Sequence, residues 1–451
     1  MTTGESKQPE QPENKKRRPP NNNVFVVDKE YKGALEEMKA RVDDYQFKTS
    51  TKELFEQLFK GQDGDAALFV KKFKGKYVFD RKTELWYYFN THSWREDILD
   101  NVLREVETLA DDYTVELKKM ELYINSIQDE ELKKQTKGMI DVLKRRISSL
   151  HTLSYKKSVL EIASAGVDSL GMPGDAWDAN PLLIGVRNGC VELDTGNFRD
   201  GRPEDYIKTV APVNWKGLDA EPKAFKKFLY TIFDGNLEII HYVQRLIGYS
   251  ITGLTRENMF VLLWGEHGQN GKGTLLETIR GVLGSDMCVK LPSDFLMKRG
   301  LGKSAGAPDA ETYALRGARI AFCSETDEKE KINTVLMKEL SGGDTLTARP
   351  PFGRKQISFN PSHLVFILTN HKPTMSAEDE ALWTRTHVLQ FQNSFVEYPD
   401  PEKPYQKKRD SKLMQKLKAE YDEIFSYFVR GSVWYDDKGL QQPEELRALT
   451  S

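Results

Sequence analysis

The chain is poor in cysteine. Cys190, Cys288 and Cys323 are the only three in 451 residues, and they lie far apart. That excludes a disulfide framework and a cysteine-built zinc site, and it fits three inert thiols in a reducing cytoplasm. Long apolar runs are missing as well. None approaches the roughly 20 residues that a membrane span requires, so no membrane partner is expected. No apolar stretch follows the basic residues near the N-terminus, which excludes a secretory signal. Charge of one sign is not in excess either: 66 Lys and Arg against 68 Asp and Glu leave a net charge of −2, so bulk charge names no partner. There is no internal repeat. What remains is 39% hydrophobic and 30% charged, with a mean hydropathy of −0.59. This describes a globular chain with a charged surface, long enough for about three domains at roughly 150 residues each.

Residues 1–24 are rich in Pro, Asn, Gln and charge and cannot bury a core, so they read as a disordered basic tail. The Lys15-Lys16-Arg17-Arg18 cluster in it is either a nucleic-acid contact or simply solvated. Residues 25–220 read as an α+β accessory domain. In it, Gly, Asp and Asn break up short aromatic runs over 68–97, in the manner of hairpins. A helical region follows over 98–160, with Ile98, Val102, Val106 and Leu109 as one apolar stripe. Between 131 and 160, Lys133, Lys134, Lys137, Lys144, Arg145, Arg146, Lys156 and Lys157 face only Glu131 and Asp141. Such a face either tracks phosphates or is solvated. Short strands and turns return over 177–215. A helical lead-in occupies 221–258, where Pro222 opens a helix with Phe225, Phe228, Leu229 and Ile232 on its core face. A core of apolar strands and helices is expected over 259–395 and a helical segment over 396–451.

The chemistry is concentrated after the apolar run Met259–Trp264, which reads as a buried parallel strand. It ends in Gly265-Glu266-His267-Gly268-Gln269-Asn270-Gly271-Lys272-Gly273-Thr274-Leu275, followed by an amphipathic helix. Strand, glycine-rich turn, Gly-Lys and helix make a phosphate cradle. Glycines let backbone N–H groups turn inward, and the helix N-terminus adds its positive end. Residues 268–275 are the candidate nucleotide contacts, and Lys272 supplies charge to the β- and γ-phosphates. Two departures from the usual spacing stand out. Five residues, not four, separate Gly265 from Gly271, and Gly273 intervenes before the hydroxyl of Thr274. Thr274 is therefore expected to meet Mg²⁺ either directly or through water.

Triphosphate hydrolysis also needs an acid, a polar sensor and an arginine. Arg319–Glu325 is a second apolar strand ending in an acid. Glu325 is the candidate for activating water and holding Mg²⁺, with Asp327 as a weaker accessory. His363–Asn370 is a third such strand, ending in the candidate sensor Asn370. Arg385 follows and suits an arginine finger. Between them, Thr345–Arg349 and Gln356–Phe359 read as a β-hairpin with a basic, aromatic-bearing tip. Its Arg349, Arg354 and Lys355 suit phosphate contact with a single strand of DNA.

This ordered set resembles the superfamily 3 helicases, especially the poxvirus-type primase-helicase ATPases of phages, plasmids and satellite elements. The likeness is carried by Asn270-Gly271-Lys272, Ser324-Glu325, Leu340-Ser341-Gly342-Gly343-Asp344 through Ala348-Arg349, Thr369-Asn370 with Pro373, and Trp383-Thr384-Arg385. Trp177-Asp178-Ala179-Asn180-Pro181 and Asn188-Gly189 extend it upstream, so it covers about 65–451. The resemblance implies an AAA+-like P-loop NTPase core, mostly parallel sheet flanked by helices, using ATP and Mg²⁺. It also implies a homo-oligomeric ring, a hexamer by the family pattern, with ATP at subunit interfaces. Arg385 and Lys338 would act on a neighbour's nucleotide, the hairpin would line the pore, and translocation would run 3′ to 5′ on single-stranded or forked DNA in replication of a mobile element. No primase signature precedes residue 65, and the winged-helix domain common in the family is not seen. Either the sequence is a piece of a longer chain, or priming and origin binding belong to a separate protein. Two other readings stay open: an ATPase switch acting on a protein partner, and a small nucleotide kinase. The cationic hairpin favours the helicase over the first, and the long stretch before the loop disfavours the second.

Overall fold

The computed structural model describes residues 50–297, 309–324, 332–349, 356–371 and 380–449. The basic tail, Glu325, Asp327, Arg354 and Lys355 lie outside these residues. The chain divides into two compact units, residues 1–72 with 103–163, and residues 73–102 with 164–451.

The first unit is helical. Its elements are α1 (Ser50–Leu58), α2 (Gln62–Phe73), α3 (Glu107–Tyr123), α4 (Glu130–Leu150) and α5 (Leu153–Ala163). Asp129 starts α4 by accepting hydrogen bonds from the backbone N–H of Glu131 and Leu132, which satisfies two donors that the first turn otherwise leaves open. Leu132, Thr136, Met139, Ile140 and Leu143 then recur at helical spacing, and all are buried. At the centre, the fully buried carboxylate of Asp65 on α2 joins three other helices. It accepts from Tyr113 Oη of α3 and Tyr155 Oη of α5, each at 2.7 Å, and from Arg146 Nη1 of α4 at 2.5 Å. Part of the basic run is therefore paired within the unit. Arg146 serves Asp65, Lys144 pairs with Glu121 at 2.8 Å, and Lys156 pairs with Glu107.

The apolar stripe expected from Ile98 begins later than the spacing suggests. Asp97 accepts from Asn101 Nδ2 at 2.8 Å and from the Val102 N–H at 2.7 Å, so the helix starts at Asn101. Ile98 is left in the preceding turn, 80% exposed, whereas Val102, Val106 and Leu109 are buried.

The second unit opens with two small sheets. In the first, β1 (Tyr77–Asp80), β2 (Leu85–Asn90), β3 (Ser93–Glu96) and β4 (Gly171–Met172) lie in the order β3-β2-β1-β4. In the second, β5 (Leu183–Val186), β6 (Gly189–Glu192), β7 (Phe198–Arg199) and β8 (Val210–Ala211) lie in the order β7-β6-β5-β8. The Trp177-Asp178 pair fastens them. Trp177 Nε1 donates to the buried Asp80 at 2.9 Å. The Asp178 carboxylate accepts from the N–H groups of Lys208 and Thr209 and from the Thr209 hydroxyl.

Two helices, α6 (Lys223–Ile232) and α7 (Leu237–Thr252), lead to the core sheet, and Phe225, Phe228, Leu229 and Ile232 of α6 are buried. The core elements are β9 (Phe260–Trp264), α8 (Lys272–Leu283), β10 (Cys288–Lys290), β11 (Ile320–Ser324), α9 (Thr334–Ser341), β12 (Leu346–Ala348), β13 (Ile357–Phe359), β14 (Leu364–Thr369) and β15 (Thr386–Gln390). Five strands form one sheet in the order β10-β11-β14-β9-β15, each pair parallel. Their apolar runs follow from burial on both faces. Val261, Leu263, Ile320, Phe322 and Phe366 enter one core with α6, α7 and α8. Their neighbours Phe260, Leu262, Ala321, Cys323 and Val365 enter the other, with Met337 and Leu340 of α9. The hairpin strands β12 and β13 pair antiparallel as expected. Beyond the sheet come β16 (Ser394–Val396), β17 (Gln406–Lys408), α10 (Leu413–Ala419) and α11 (Tyr421–Lys438). A Cβ on Gly248 of α7 would stand 2.1 Å from the backbone of Gly431 in α11, so glycine at this crossing lets the two helices touch.

Candidate nucleotide-binding site

The parallel strands deliver their C-terminal ends to one edge of the sheet, beside β9, where neighbours β14 and β15 run on either side. Open α/β sheets bind ligands at such a crevice. The loop between β9 and α8 is shaped by its own residues. Gly271 has φ 94°, and a Cβ there would approach Ile232 Cγ2 to 2.9 Å, so the turn into α8 requires glycine. Asn270 is buried and donates through Nδ2 to the His267 carbonyl at 2.5 Å, which closes the loop on itself.

Lys272 is the first residue of α8 and is 5% exposed. Its Nζ lies 2.9 Å from Asn370 Oδ1 and 3.3 Å from the Gly265 carbonyl oxygen. Both partners are neutral. Burial pulls the Lys272 ammonium down to about 8, and no carboxylate among the described residues pairs with it. An ammonium held this way at a helix N-terminus fits a phosphate group, which would supply the missing negative charge.

The cradle opens into a cavity of about 890 Å³. Of the candidate contacts, Gln269, Asn270, Gly271, Lys272, Gly273 and Thr274 line it. Asn370 also lines it, at the end of β14, beside Ser324 at the end of β11. Leu275 instead packs into the core. Gly268 is exposed, and its carbonyl accepts from Ser394 Oγ at 2.9 Å.

Arg385 and Lys338 do not join this group. Arg385 precedes β15, and its carbonyl accepts from the N–H of Phe260, the first residue of β9. The length of β9, about 13 Å at roughly 3.3 Å per residue, separates it from the start of the loop. There its guanidinium Nη1 donates to the Lys338 carbonyl at 3.2 Å and lies 3.4 Å from Ser341 Oγ. Arg349 directly follows β12 and is half-buried.

The sequence motifs did not reveal the far wall of the cavity. It is formed by Lys227 and Phe228 of α6 and by a stretch that includes Lys408, Arg409, Leu413 and Met414. That stretch is tied to the loop: the Phe395 N–H donates to the Gln269 carbonyl at 2.9 Å, and the rings of His267 and Tyr405 stack with centroids 4.0 Å apart. The basic run Lys407-Lys408-Arg409 was the available signal, but it has no motif spacing and comes far along the chain from the loop.

Parallel sheet, flanking helices and a glycine-rich turn into α8 define a P-loop NTPase-like core. Residues 66–234 match the family described as D5 N terminal like. A protein of Acanthamoeba polyphaga mimivirus, provisionally named helicase L207/L206, is 29% identical over 367 residues, 78% of this chain and 37% of its own length. A protein of African swine fever virus (strain Badajoz 1971 Vero-adapted), provisionally named primase C962R, is 26% identical over 301 residues, 65% of this chain and 30% of its own. The chain thus carries a D5 N terminal like region and is similar to viral proteins provisionally named as helicases and primases. It spans well under half the length of these relatives. The apo structure of the NrS-1 C terminal region (305-718) overlays at a TM-score of 0.46 and 12% identity, covering 86% of this chain and 74% of that one, too distant a match to carry weight.

Proposed function

We propose that this chain is an ATP-dependent DNA helicase module that works as a homo-oligomeric ring, a hexamer by the family pattern, on single-stranded or forked DNA in the 3′ to 5′ direction. The observation that carries this reading is the buried Lys272 at the helix N-terminus, in contact with Asn370 and paired with no acid among the described residues. In it, Lys272 and the N–H groups of 269–274 hold the phosphates of ATP, and Asn370 senses the γ-phosphate. Thr274 and Glu325 would hold Mg²⁺, which neutralises phosphate charge when bound. Glu325 would orient the attacking water.

The separation of Arg385 and Lys338 from the loop of their own subunit supports their acting on a neighbour's nucleotide. A hairpin carrying Arg349, Arg354 and Lys355 would grip the DNA backbone in the ring. Replication of a viral or other mobile element is the setting that the relatives' names favour, and the cytoplasm its site. The test is steady-state ATP hydrolysis by the wild type and Lys272→Ala, with and without single-stranded DNA. Hydrolysis that DNA stimulates and the substitution abolishes supports the reading. Unchanged turnover in the variant overturns the site.

A further inference from the structure

The cavity has more positive charge than the cradle alone supplies. Lys227, Lys408, Arg409 and Lys416 join Lys272 on its lining, and Asp410 is the one carboxylate among the described lining residues. Asp410 is already engaged: it accepts from Lys416 Nζ at 2.6 Å and from the Lys412 N–H at 3.0 Å, and these bonds hold its carboxyl below the usual range. Lys227, Lys408 and Arg409 are exposed at the mouth, and none has an ion pair with an acid among the described residues. Three cations gathered at the mouth of a cleft, with no ion pair among the described residues, repel one another, so an anionic ligand is the group they would accept.

Their placement is not that of a loose surface loop. Arg409 follows β17, which pairs in parallel with β16, and its own N–H donates to the Val396 carbonyl at 2.9 Å. Strand β16 in turn holds the cradle, through Phe395 N–H to Gln269 and Ser394 Oγ to Gly268. The cationic rim and the cradle are therefore two walls of one cleft in the same subunit, joined by a short chain of hydrogen bonds.

We propose that Lys227, Lys408 and Arg409 form a second phosphate-binding surface, which meets the polyphosphate of a nucleoside triphosphate from the side opposite the Lys272 cradle. This rests on the nucleotide-binding reading above. Arg409 is the leading member because its planar guanidinium can make two parallel hydrogen bonds to a phosphate. The surface distinguishes nucleotides by phosphate charge and is indifferent to the base.

The test is calorimetric titration of the full chain with ATP, ADP, AMP and adenosine, for wild type, Arg409→Ala, Arg409→Lys and Lys227→Ala/Lys408→Ala. Arg409→Ala is expected to weaken ATP by roughly tenfold or more, ADP less, and AMP and adenosine hardly at all, with Arg409→Lys recovering part of the loss. The double variant should show the same ranking. Equal loss for all four ligands, or none, overturns the proposal. Unchanged ATP affinity with a loss of single-stranded DNA binding also overturns it, and assigns the rim to nucleic acid. A wild type that binds none of the four contradicts the nucleotide reading itself, a different failure from a silent Arg409→Ala in a wild type that binds.

Discussion

Lys272 Nζ and Asn370 Oδ1 stand 2.9 Å apart, joining the first residue of α8 to the end of β14 across the mouth of the cleft. The contact puts the cradle's ammonium and the candidate sensor within reach of the same group. Among the described residues, Lys272 has amide-type partners only. Since burial has drawn its pKa down to about 8, nucleotide affinity should be nearly flat below pH 8. Above it, affinity should fall by up to roughly tenfold per unit, because binding must then return a proton to Lys272. The sign for the empty fold is the reverse: charged Lys272 weakens it below about pH 8, and the penalty fades toward the ordinary lysine value. Fluorescent-nucleotide binding between pH 6.5 and 9.5 checks this; affinity that rises with pH contradicts it.

Arg385 lies at the opposite end of the sheet from the loop, bonded to Lys338 and Ser341. Arg385→Ala should leave nucleotide binding nearly unchanged and cut hydrolysis, by roughly 10³–10⁵ for an arginine of this kind. Mixing this variant with Lys272→Ala should restore some activity, since each subunit then offers the part the other lacks. A mixture no more active than either variant alone argues against action between subunits.

Asp65 accepts three hydrogen bonds from three helices while fully buried. Asp65→Ala leaves the Arg146 charge and two tyrosine hydroxyls without their partner. A loss on the order of 3–5 kcal/mol is expected for breaking a buried pair, seen as early unfolding of the helical unit by circular dichroism. Asp65→Asn, which keeps an acceptor, should cost less.

His363 is buried, and neither ring nitrogen has a hydrogen-bond partner among the described residues. Burial lowers its pKa to about 4. The unfolded chain therefore binds the extra proton first. The stability linked to neutral His363 is fully present above about pH 6.5 and is lost as the pH falls toward 4, on the order of a few kcal/mol. His363→Leu should remove this acid sensitivity and match or exceed the wild-type melting temperature at pH 7, because it removes unpaired polar atoms from the core. A melting temperature several degrees lower at pH 7 would contradict this.

The parts of the site carried by local patterning were legible. Lys272 sits where strand, glycine turn and helix meet, and Asn370 ends an apolar run that becomes β14. The register of the sheet supplied the rest. Only the parallel pairing of β9 with β15 puts Arg385 beside Phe260 rather than beside the loop. The far wall at Lys408 and Arg409 reaches the cradle through hydrogen bonds from β16, which periodicity does not encode. Ile98 fitted the helical spacing but lost to the local hydrogen bonds of Asp97.

The central claim is that ATP hydrolysis in this chain is coupled to a grip on single-stranded DNA. Steady-state ATPase with and without single-stranded DNA across a salt series tests it directly. The account predicts strong stimulation that fades as salt rises, since phosphate contacts are lost with counterion competition, and loss of that stimulation on charge reversal at Arg349, Arg354 and Lys355. Hydrolysis indifferent to DNA at every salt concentration would contradict it.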